Sequence, residues 1–453
     1  MYKRQLNAFS ASISARQTLD LRDYDSLPGV SDSLNRARAA RAERIALFGV
    51  GMGLERERAF GSSLEFRPGI TAWFQPSIRF SSTFSLYKDP NARALLRDTL
   101  ANGGYRLPKR LGALQSLDAS LNFDAGRLLL GQTKDASRMN RLGRALLPFR
   151  VDWTRTLTSN YDNTVLNPSL RYQLGIGGLQ SFRGLNSVLA TGAGRLSNFA
   201  GSGAVQLPWS LTLRSSFQQG SSATWTRRVI DNFQALITND NQTFPNADAT
   251  WRLTLAQPNK VLTGLTATLG YVITENNTIV RSETGNIVEQ SRSRGETQPM
   301  SAQVNWSFFD GVRTGVSLRR SVRIDSRPGS VTRNNNPWAQ TYTIDKDFTL
   351  PENWKARSKL KTSASYDFTG AVSVVEDAPS LNGLFLGTGI PSVLTNNGRR
   401  QFNFRADTDL SEVASFSFNG SHTVVFDRNY NRQSTFMVFS AVLQLHFGAG
   451  ELR

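Results

Sequence analysis

The stretch VRTGVSLRRSVRI, residues 312–324, decides the fold class because its side chains alternate with a period of two. One set of alternate positions, from Val312 to Ile324, is mostly aliphatic, and the intervening set consists of arginine, serine and glycine. Such alternation is typical of a β-strand with one apolar and one polar face. The stretch is also longer than the usual strand of about 5 to 6 residues in a globular protein.

The same alternation recurs along the whole chain, in roughly 16 to 18 segments of about 9 to 14 residues each. Clear examples are residues 78–86, 117–124, 205–214, 247–255 and 414–426. A tilted strand of about 9 to 11 residues crosses a bilayer. The sequence therefore predicts an all-β protein, an antiparallel up-and-down transmembrane β-barrel or a large segment of one, with roughly 16–18 strands.

The connections between these segments support an up-and-down order. Short turns at 258–260, 310–311, 351–353 and 411–412 alternate with long polar connections, which we expect at 275–299, 324–337 and 371–399. Barrels with short turns on one side of a membrane and long loops on the other show this alternation. We predict one barrel, or the C-terminal segment of a larger one, over residues 1–453, with the most regular hairpin array at 246–453.

A few short helices are expected in the connections. Residues 35–44 are rich in alanine and arginine, and residues 139–147 give a weaker helical pattern. Asp89-Pro90 followed by an Ala/Leu/Arg stretch and Gly103-Gly104 has the start and stop signals of a third helix. We place all three in connections or against a barrel mouth.

Composition excludes several kinds of chemistry. The chain has 453 residues, no cysteine and only two histidines, His422 and His446. The absence of cysteine excludes disulfides, thiolate metal sites and cysteine nucleophiles, and two histidines cannot build a histidine-rich metal centre. A catalytic barrel needs a histidine with an acid or serine on the same rim, and no local motif supplies one. We therefore predict no enzyme activity, no cofactor and no metal.

The formal net charge of +18 raises the question of nucleic-acid binding. The basic residues do not cluster but lie one at a time between apolar residues, which favours a lined surface over a nucleic-acid module. The longest apolar run, Ile45 to Leu54, is about half the length of a membrane-spanning helix. The first residues lack the apolar region and cleavage site of an export signal, so we expect part of a parent chain upstream.

The arginines of the polar strand faces are the main candidate site. If the apolar face contacts lipid, these residues line the interior, where guanidinium groups favour anionic solutes or acidic segments of a passing polypeptide. The nine candidates are Arg79, Arg150, Arg171, Arg214, Arg252, Arg313, Arg319, Arg323 and Arg405. Alternatively, they pair with interior acids such as Asp118, Asp248 and Asp407 and fill the barrel.

Two further features concern the apolar face. Arg155 and Arg320 occupy positions in the apolar set of alternate residues of their strands, which we call the apolar parity. Because an arginine facing mid-bilayer lipid costs about 2–4 kcal/mol, we expect them near a rim or at a bulge. Tryptophans near strand ends suit interfacial girdles, although packing in a soluble barrel is the alternative. The candidate interface tryptophans are Trp73, Trp153, Trp209, Trp251, Trp306 and Trp338.

Three stretches carry a resemblance to a known family: LPFRVDW at Leu147–Trp153, NPSLRY at Asn167–Tyr172, and the end of the chain from Phe416 to Gly450. They resemble the C-terminal part of the SprA (Sov) family, the giant barrel translocons of type IX secretion. The resemblance implies a bacterial outer-membrane location, a protein-export pore, a translocated polypeptide, accessory secretion subunits, and contact with outer-membrane lipid or lipopolysaccharide.

The sequence thus favours an outer-membrane β-barrel pore, the C-terminal part of a protein-export translocon. One alternative is a stand-alone outer-membrane barrel that acts in binding, in adhesion or as a small-solute channel. Another is a secreted soluble β-rich adhesin. If the apolar rows of Trp251–Leu255 and Val312–Ile324 met across a dry sandwich core, the membrane interpretation would be excluded.

Overall fold

The structure is a computed structural model, and most of the chain is described in it. The described residues are 8–22, 31–47, 50–88, 96–97, 105–132, 138–228, 233–254, 261–282, 285–307, 311–351, 358–377, 380–381, 384–385, 392–411 and 414–445.

One antiparallel sheet of 17 strands dominates these residues. It consists of the short strand β2 (Arg44–Leu47) and sixteen longer strands of 12 to 22 residues. The longer strands are β1 (Phe9–Asp20), β3 (Val50–Phe66), β4 (Phe74–Lys88), β7 (Lys109–Phe123), β8 (Phe149–Thr164), β11 (Gly192–Leu207), β12 (Leu211–Arg228), β13 (Phe233–Thr254), β14 (Leu262–Arg281), β15 (Ile287–Trp306), β16 (Arg313–Arg327), β17 (Ser330–Phe348), β18 (Leu360–Asp377), β21 (Ser392–Asp409), β22 (Ala414–Asp427) and β23 (Arg432–Leu445).

The connections contain short elements. These are α1 (Ser31–Ala42), β5 (Leu96–Arg97), β6 (Tyr105–Arg106), α2 (Ala125–Gln132), α3 (Arg138–Ala145), α4 (Leu170–Gln173), α5 (Leu179–Arg183), β9 (Gly184–Leu185), β10 (Val188–Leu189), a 3₁₀ turn at Pro208–Ser210, β19 (Ser380–Leu381) and β20 (Leu384–Phe385). Helices α1 and α3 confirm two of the predicted helices. Most of the third prediction, after Asp89-Pro90, lies outside the described residues, and its Leu96–Arg97 form β5. No described helix is long and apolar enough to cross a membrane.

The pairing order confirms the predicted up-and-down architecture. Each long strand pairs antiparallel with the next long strand of the chain, from β1–β3 to β22–β23. Strands β1 and β23 are the two edges, and no register joins them within the described residues. Every residue of β23 is exposed, on both faces.

The strands are longer than predicted because two expected polar loops are regular hairpins. Strand β14 continues to Arg281, and β15 begins again at Ile287. Strand β16 continues to Arg327, where Pro328 and Gly329 (φ +81°) turn the chain directly into β17. The expectation of loops at 275–299 and 324–337 was wrong because backbone hydrogen bonds continue a ladder whatever the side-chain polarity.

The sheet is a single layer over most of its area. The accessible surface is 30284 Å², whereas a compact protein of 50.1 kDa would expose about 17,000 Å². The described residues of the apolar rows at 251–254 and 312–324 do not meet across a dry core, since Trp251 and Val316 each keep 38% of their surface exposed.

One region is the exception, where the connection between β8 and β11, residues 165–191, lies over the sheet. Tyr172 of α4 and Phe182 of α5 are almost completely buried there. They pack on the apolar-parity side chains Phe84, Leu86, Leu111, Ala113, Leu157, Tyr161, Ala193, Ala223 and Trp225. This cluster, which we call the covered core, is at the end of the strands opposite Phe74, Phe123 and Phe149.

Candidate functional site

The strand registers bring eight of the nine candidate arginines to one face. Residues that are paired across neighbouring strands point to the same side of the sheet. Arg214 is paired with Asp248 and Arg319 with Pro299, and following such pairs from strand to strand places both arginines on one side. The face carries Arg79, Arg150, Arg214, Arg252, Arg313, Arg319, Arg323 and Arg405. Arg171 is placed differently from the expectation, because it belongs to α4 in the connection and not to a strand.

Acidic residues are interleaved with these arginines. Arg150, Arg323 and Arg405 each bond the aspartate two positions further along the same strand. Two residues is the strand repeat, so both partners are on the same face. The three arginine side chains nevertheless stay 64–65% exposed, and exposed pairs of this kind contribute only about 0–1 kcal/mol.

The acids proposed as alternative partners also lie on this face. Arg79 has Glu65 and Asp118 as its two cross-strand neighbours. Asp248 faces Arg214, and Asp407 bonds Arg405. The face is therefore polar and hydrated with both signs of charge, rather than uniformly cationic.

The opposite face is apolar near the end of the sheet that carries the 3₁₀ turn at Pro208–Ser210. On β15, the alternate residues from Trp306 to Met300 are apolar, and the same parity then continues with Gln298, Glu296 and Arg294. Strand β14 shows the same change between Leu269 and Glu275. On β15 the apolar row thus ends at Met300, and residues 289–298 carry polar side chains or glycine on both sides, whereas on β16 the same parity is aliphatic again at Val322 and Ile324.

Five of the six candidate tryptophans lie at the same end of the sheet. Trp73 and Trp209 are in connections there, and Trp153, Trp251 and Trp306 are within the last few strand residues. Two of the indole groups are held by hydrogen bonds: Trp251 Nε1 donates to the Trp209 carbonyl at 3.0 Å, and Trp306 Nε1 donates to Thr314 Oγ1 at 2.8 Å.

Trp338 is the exception to this placement at strand ends. It lies inside β17, about ten residues from the strand's end at Phe348, which is the length of one bilayer crossing.

The two arginines of apolar parity have different surroundings. Arg320 lies opposite Gln298, at the point where the register of β16 and β17 shifts between Arg319 and Ser321. The predicted bulge is therefore present beside Arg320. Arg155 lies opposite Leu117 and Ser197 in undisturbed registers, so no bulge accounts for it.

A cluster of buried charges was missed in the sequence. Lys88 Nζ lies 3.0 Å from Glu43 Oε2 and 3.7 Å from Glu55 Oε2, and all three side chains are at most 8% exposed. Arg58 Nε donates to Glu55 Oε1 at 2.6 Å. The sequence did contain a signal that these lysines are buried. Lys88 follows Phe84 and Leu86, and Lys109 precedes Leu111 and Ala113, at the apolar parity of their strands.

A cavity of about 1190 Å³ lies on the apolar-parity side beside the α2–α3 hairpin. Leu146 and Leu147 form one wall, and strand residues such as Val151, Leu213 and Leu269 form the floor. It is a cleft between the helical hairpin and the sheet, continuous with the exposed apolar row.

No cluster in the described residues resembles a catalytic or metal centre. His422 lies on β22 between Phe402 and Met437. No group of three or more His, Cys, Asp or Glu side chains in the described residues could hold a metal ion. His446 lies outside the described residues.

Comparisons with known proteins give only distant similarities. No family model and no curated protein matches the chain. It is similar to the siderophore receptor PirA from Acinetobacter baumannii, with TM-score 0.35, 9% identity, and 85% of this chain and 71% of that chain covered.

It is also similar to a mutant of the ferric enterobactin receptor PfeA from Pseudomonas aeruginosa in complex with enterobactin, with TM-score 0.34, 9% identity, and coverage of 87% and 72%. For the unliganded ferric citrate transporter FecA the TM-score is 0.33 at 8% identity, with coverage of 82% and 57%. Similarities at these TM-scores carry no argument about ligand or mechanism.

Proposed function

We propose that this protein is a bacterial outer-membrane β-barrel whose apolar face contacts lipid and whose polar face lines a water-filled lumen for polar solutes. The observation that carries the proposal is the continuous antiparallel pairing of sixteen strands, which keeps one exposed apolar row and one charged face apart. A water-soluble protein buries such a row, whereas a lipid-facing strand exposes it. The tryptophans at the end of the row suit the membrane–water interface.

Closure of the barrel requires the two edge strands, β1 and β23, to pair. Neighbouring long strands alternate in direction, so the first and the sixteenth run antiparallel, as in a barrel with an even number of strands. The exposure of β23 on both faces leaves its outer backbone edge accessible for this pairing.

The mixed charge of the polar face supports a weakly selective solute channel or binding lumen. Arginines favour anions, but the interleaved aspartates reduce the net potential along the passage. The proposed partners are outer-membrane lipid or lipopolysaccharide outside and a polar, preferably anionic, solute inside.

A second candidate is protein export of the type IX kind, with a translocated polypeptide and accessory subunits as partners. It is supported by the resemblance of Leu147–Trp153 and Asn167–Tyr172 to the SprA family. These stretches lead into β8 and form the start of the covering connection.

Conductance in planar lipid bilayers tests the proposal. We expect single channels, and we expect the triple variant Arg214→Gln, Arg252→Gln, Arg319→Gln to shift ion selectivity towards cations. The matched control is Arg281→Gln, near a hairpin tip. A correctly inserted protein without conductance would overturn the open lumen. Blockage by large polyethylene glycols measures lumen width, and a lumen too narrow for an extended polypeptide would exclude export.

A further inference from the structure

A second cavity, of about 320 Å³, lies where β3, β4 and β7 meet the connection at Val165–Pro168. This is the end of the sheet away from the tryptophans. The charged side chains that line it are Glu43, Glu55, Arg58, Lys88, Arg106 and Lys109. Four cations therefore face two carboxylates around a space that equals the liquid volume of roughly ten water molecules.

The two carboxylates are already engaged. Glu55 bonds Arg58 through both oxygens, at 2.6 and 2.9 Å, and lies 3.7 Å from Lys88. Glu43 lies 3.0 Å from Lys88 and accepts a hydrogen bond from the Leu107 amide at 3.2 Å. Their negative charge is thus directed to the Arg58–Lys88 side of the cavity.

Lys109 lacks such a partner on its own side. It is only 4% exposed. Its ammonium donates to Asn167 Oδ1 at 2.6 Å and to the Val165 carbonyl at 3.4 Å, both of which are neutral. No carboxylate of the described residues forms an ion pair with it. A buried ammonium held only by neutral acceptors is costly, since a buried charge normally requires an opposite charge.

The local field agrees with this geometry. Burial lowers the pKa of the Lys109 ammonium, Glu43 partly opposes that effect, and the neighbouring charges of Lys88 and Arg106 lower the pKa further. The positive charge of Lys109 is therefore only partly compensated by the neighbouring carboxylates.

We propose that the cavity, which Arg106 also lines, binds an oxyanion of the phosphate type with the Lys109 ammonium as its central ligand. Arginine and lysine are the usual protein ligands of phosphate oxygens, and charge-assisted hydrogen bonds to them are strong. The phosphate group is either free in solution or part of a lipid headgroup. The site is at the strand ends, so the inference does not depend on an open lumen.

Calorimetric titration of inorganic phosphate into the folded full-length protein in detergent micelles at low ionic strength tests the site. We expect saturable binding that Lys109→Met weakens about tenfold or more. Arg106→Gln, at a less buried side chain, is a second variant in case Lys109→Met does not fold. The control is Lys359→Met, an exposed lysine next to β18, which we expect to leave affinity unchanged. Equal affinity in all folded variants, or no saturable binding, would overturn the proposal.

Flotation with lipid vesicles distinguishes the two sources of phosphate. Vesicles of phosphatidylcholine containing phosphatidic acid are compared with pure phosphatidylcholine vesicles. If the ligand is a headgroup, binding of the first kind exceeds that of the second, Lys109→Met removes the difference, and inorganic phosphate competes. If the ligand is free phosphate, titration shows the site and the vesicles show no difference.

Discussion

The N-terminal and C-terminal strands share one alternating pattern near the tryptophan end but differ at the opposite end. In β4, β7, β8, β11 and β12 the apolar parity continues with aromatic and aliphatic side chains, and residues 165–191 cover them. In β15 and β17 that parity continues mainly with charged and amide side chains, in β14 and β16 it alternates aliphatic with charged or amide side chains, and the hairpins extend without a cover. The connection that folds back on the sheet thus lies where aromatic and aliphatic side chains continue beyond the apolar row.

Breaking the covered core should have the largest effect on stability. Phe182 is 0% exposed, so Phe182→Ala loses its burial and leaves a cavity, at a cost of about 3–5 kcal/mol in the free energy of unfolding. Tyr430→Ala, at the exposed turn between β22 and β23, should change it by less than about 0.5 kcal/mol. Urea unfolding in detergent micelles, followed by tryptophan fluorescence, measures both. Equal effects would show that the cover contributes no stability.

Ion pairs in the two regions should also differ in how much they contribute to the free energy of unfolding. Lys88→Met leaves Glu43 and Glu55 buried without their shared cation, which costs about 3–5 kcal/mol. Arg294→Met removes an exposed pair with Glu275 and Glu296 on a hairpin, worth about 0–1 kcal/mol. The same urea titration applies. A Lys88→Met protein as stable as the parent would contradict the buried network.

A smaller effect is expected from one hydroxyl group of the covered core. Ser159 Oγ and the Tyr172 hydroxyl are 2.5 Å apart and both residues are buried. Tyr172→Phe leaves the serine hydroxyl without this partner, and we expect a loss of about 1–3 kcal/mol. Tyr342→Phe, at an exposed tyrosine of β17, is the control. Protease sensitivity of residues 165–191 should rise in the first variant and stay constant in the second.

The smallest effect is expected from shortening a bare hairpin. Replacing residues 276–293 by a two-residue turn removes the hairpin tip beyond the apolar row, whose described side chains are exposed or half-exposed and mostly polar, with Ile287 and Val288 among the exposed ones. Insertion into lipid vesicles and the heat-induced shift in gel mobility should both persist. Loss of insertion would mean that this hairpin is part of the folding core.

The sequence predicted the fold well because a strand in a single-layer sheet is determined mainly by its own alternation. The registers follow from pairing each strand with its sequence neighbour, so the shared face of Arg214, Arg319 and Arg405 could be anticipated. Hairpin length could not, since polar side chains are equally compatible with a loop and with an exposed ladder, as at Glu275 and Arg292.

The candidate site was predicted only in part. Arg171 was assigned to a polar strand face, but Ser169 caps a short helix there by accepting a hydrogen bond from the Tyr172 amide. The buried charges required tertiary information, because Glu43, Lys88 and Asn167 come from three separate connections or strand ends. Only the position of Lys88 and Lys109 in apolar rows indicated burial.

The central claim is that one set of alternate residues of each strand faces lipid and the other set faces water. The chain contains no cysteine, so single cysteines from Leu265 to Leu269 of β14 can be labelled with a fluorophore in reconstituted vesicles. We predict that nitroxide lipids quench the label at 265, 267 and 269, and that aqueous iodide quenches it at 266 and 268. Quenching without this alternation, or iodide access at 265, 267 and 269, would contradict the account.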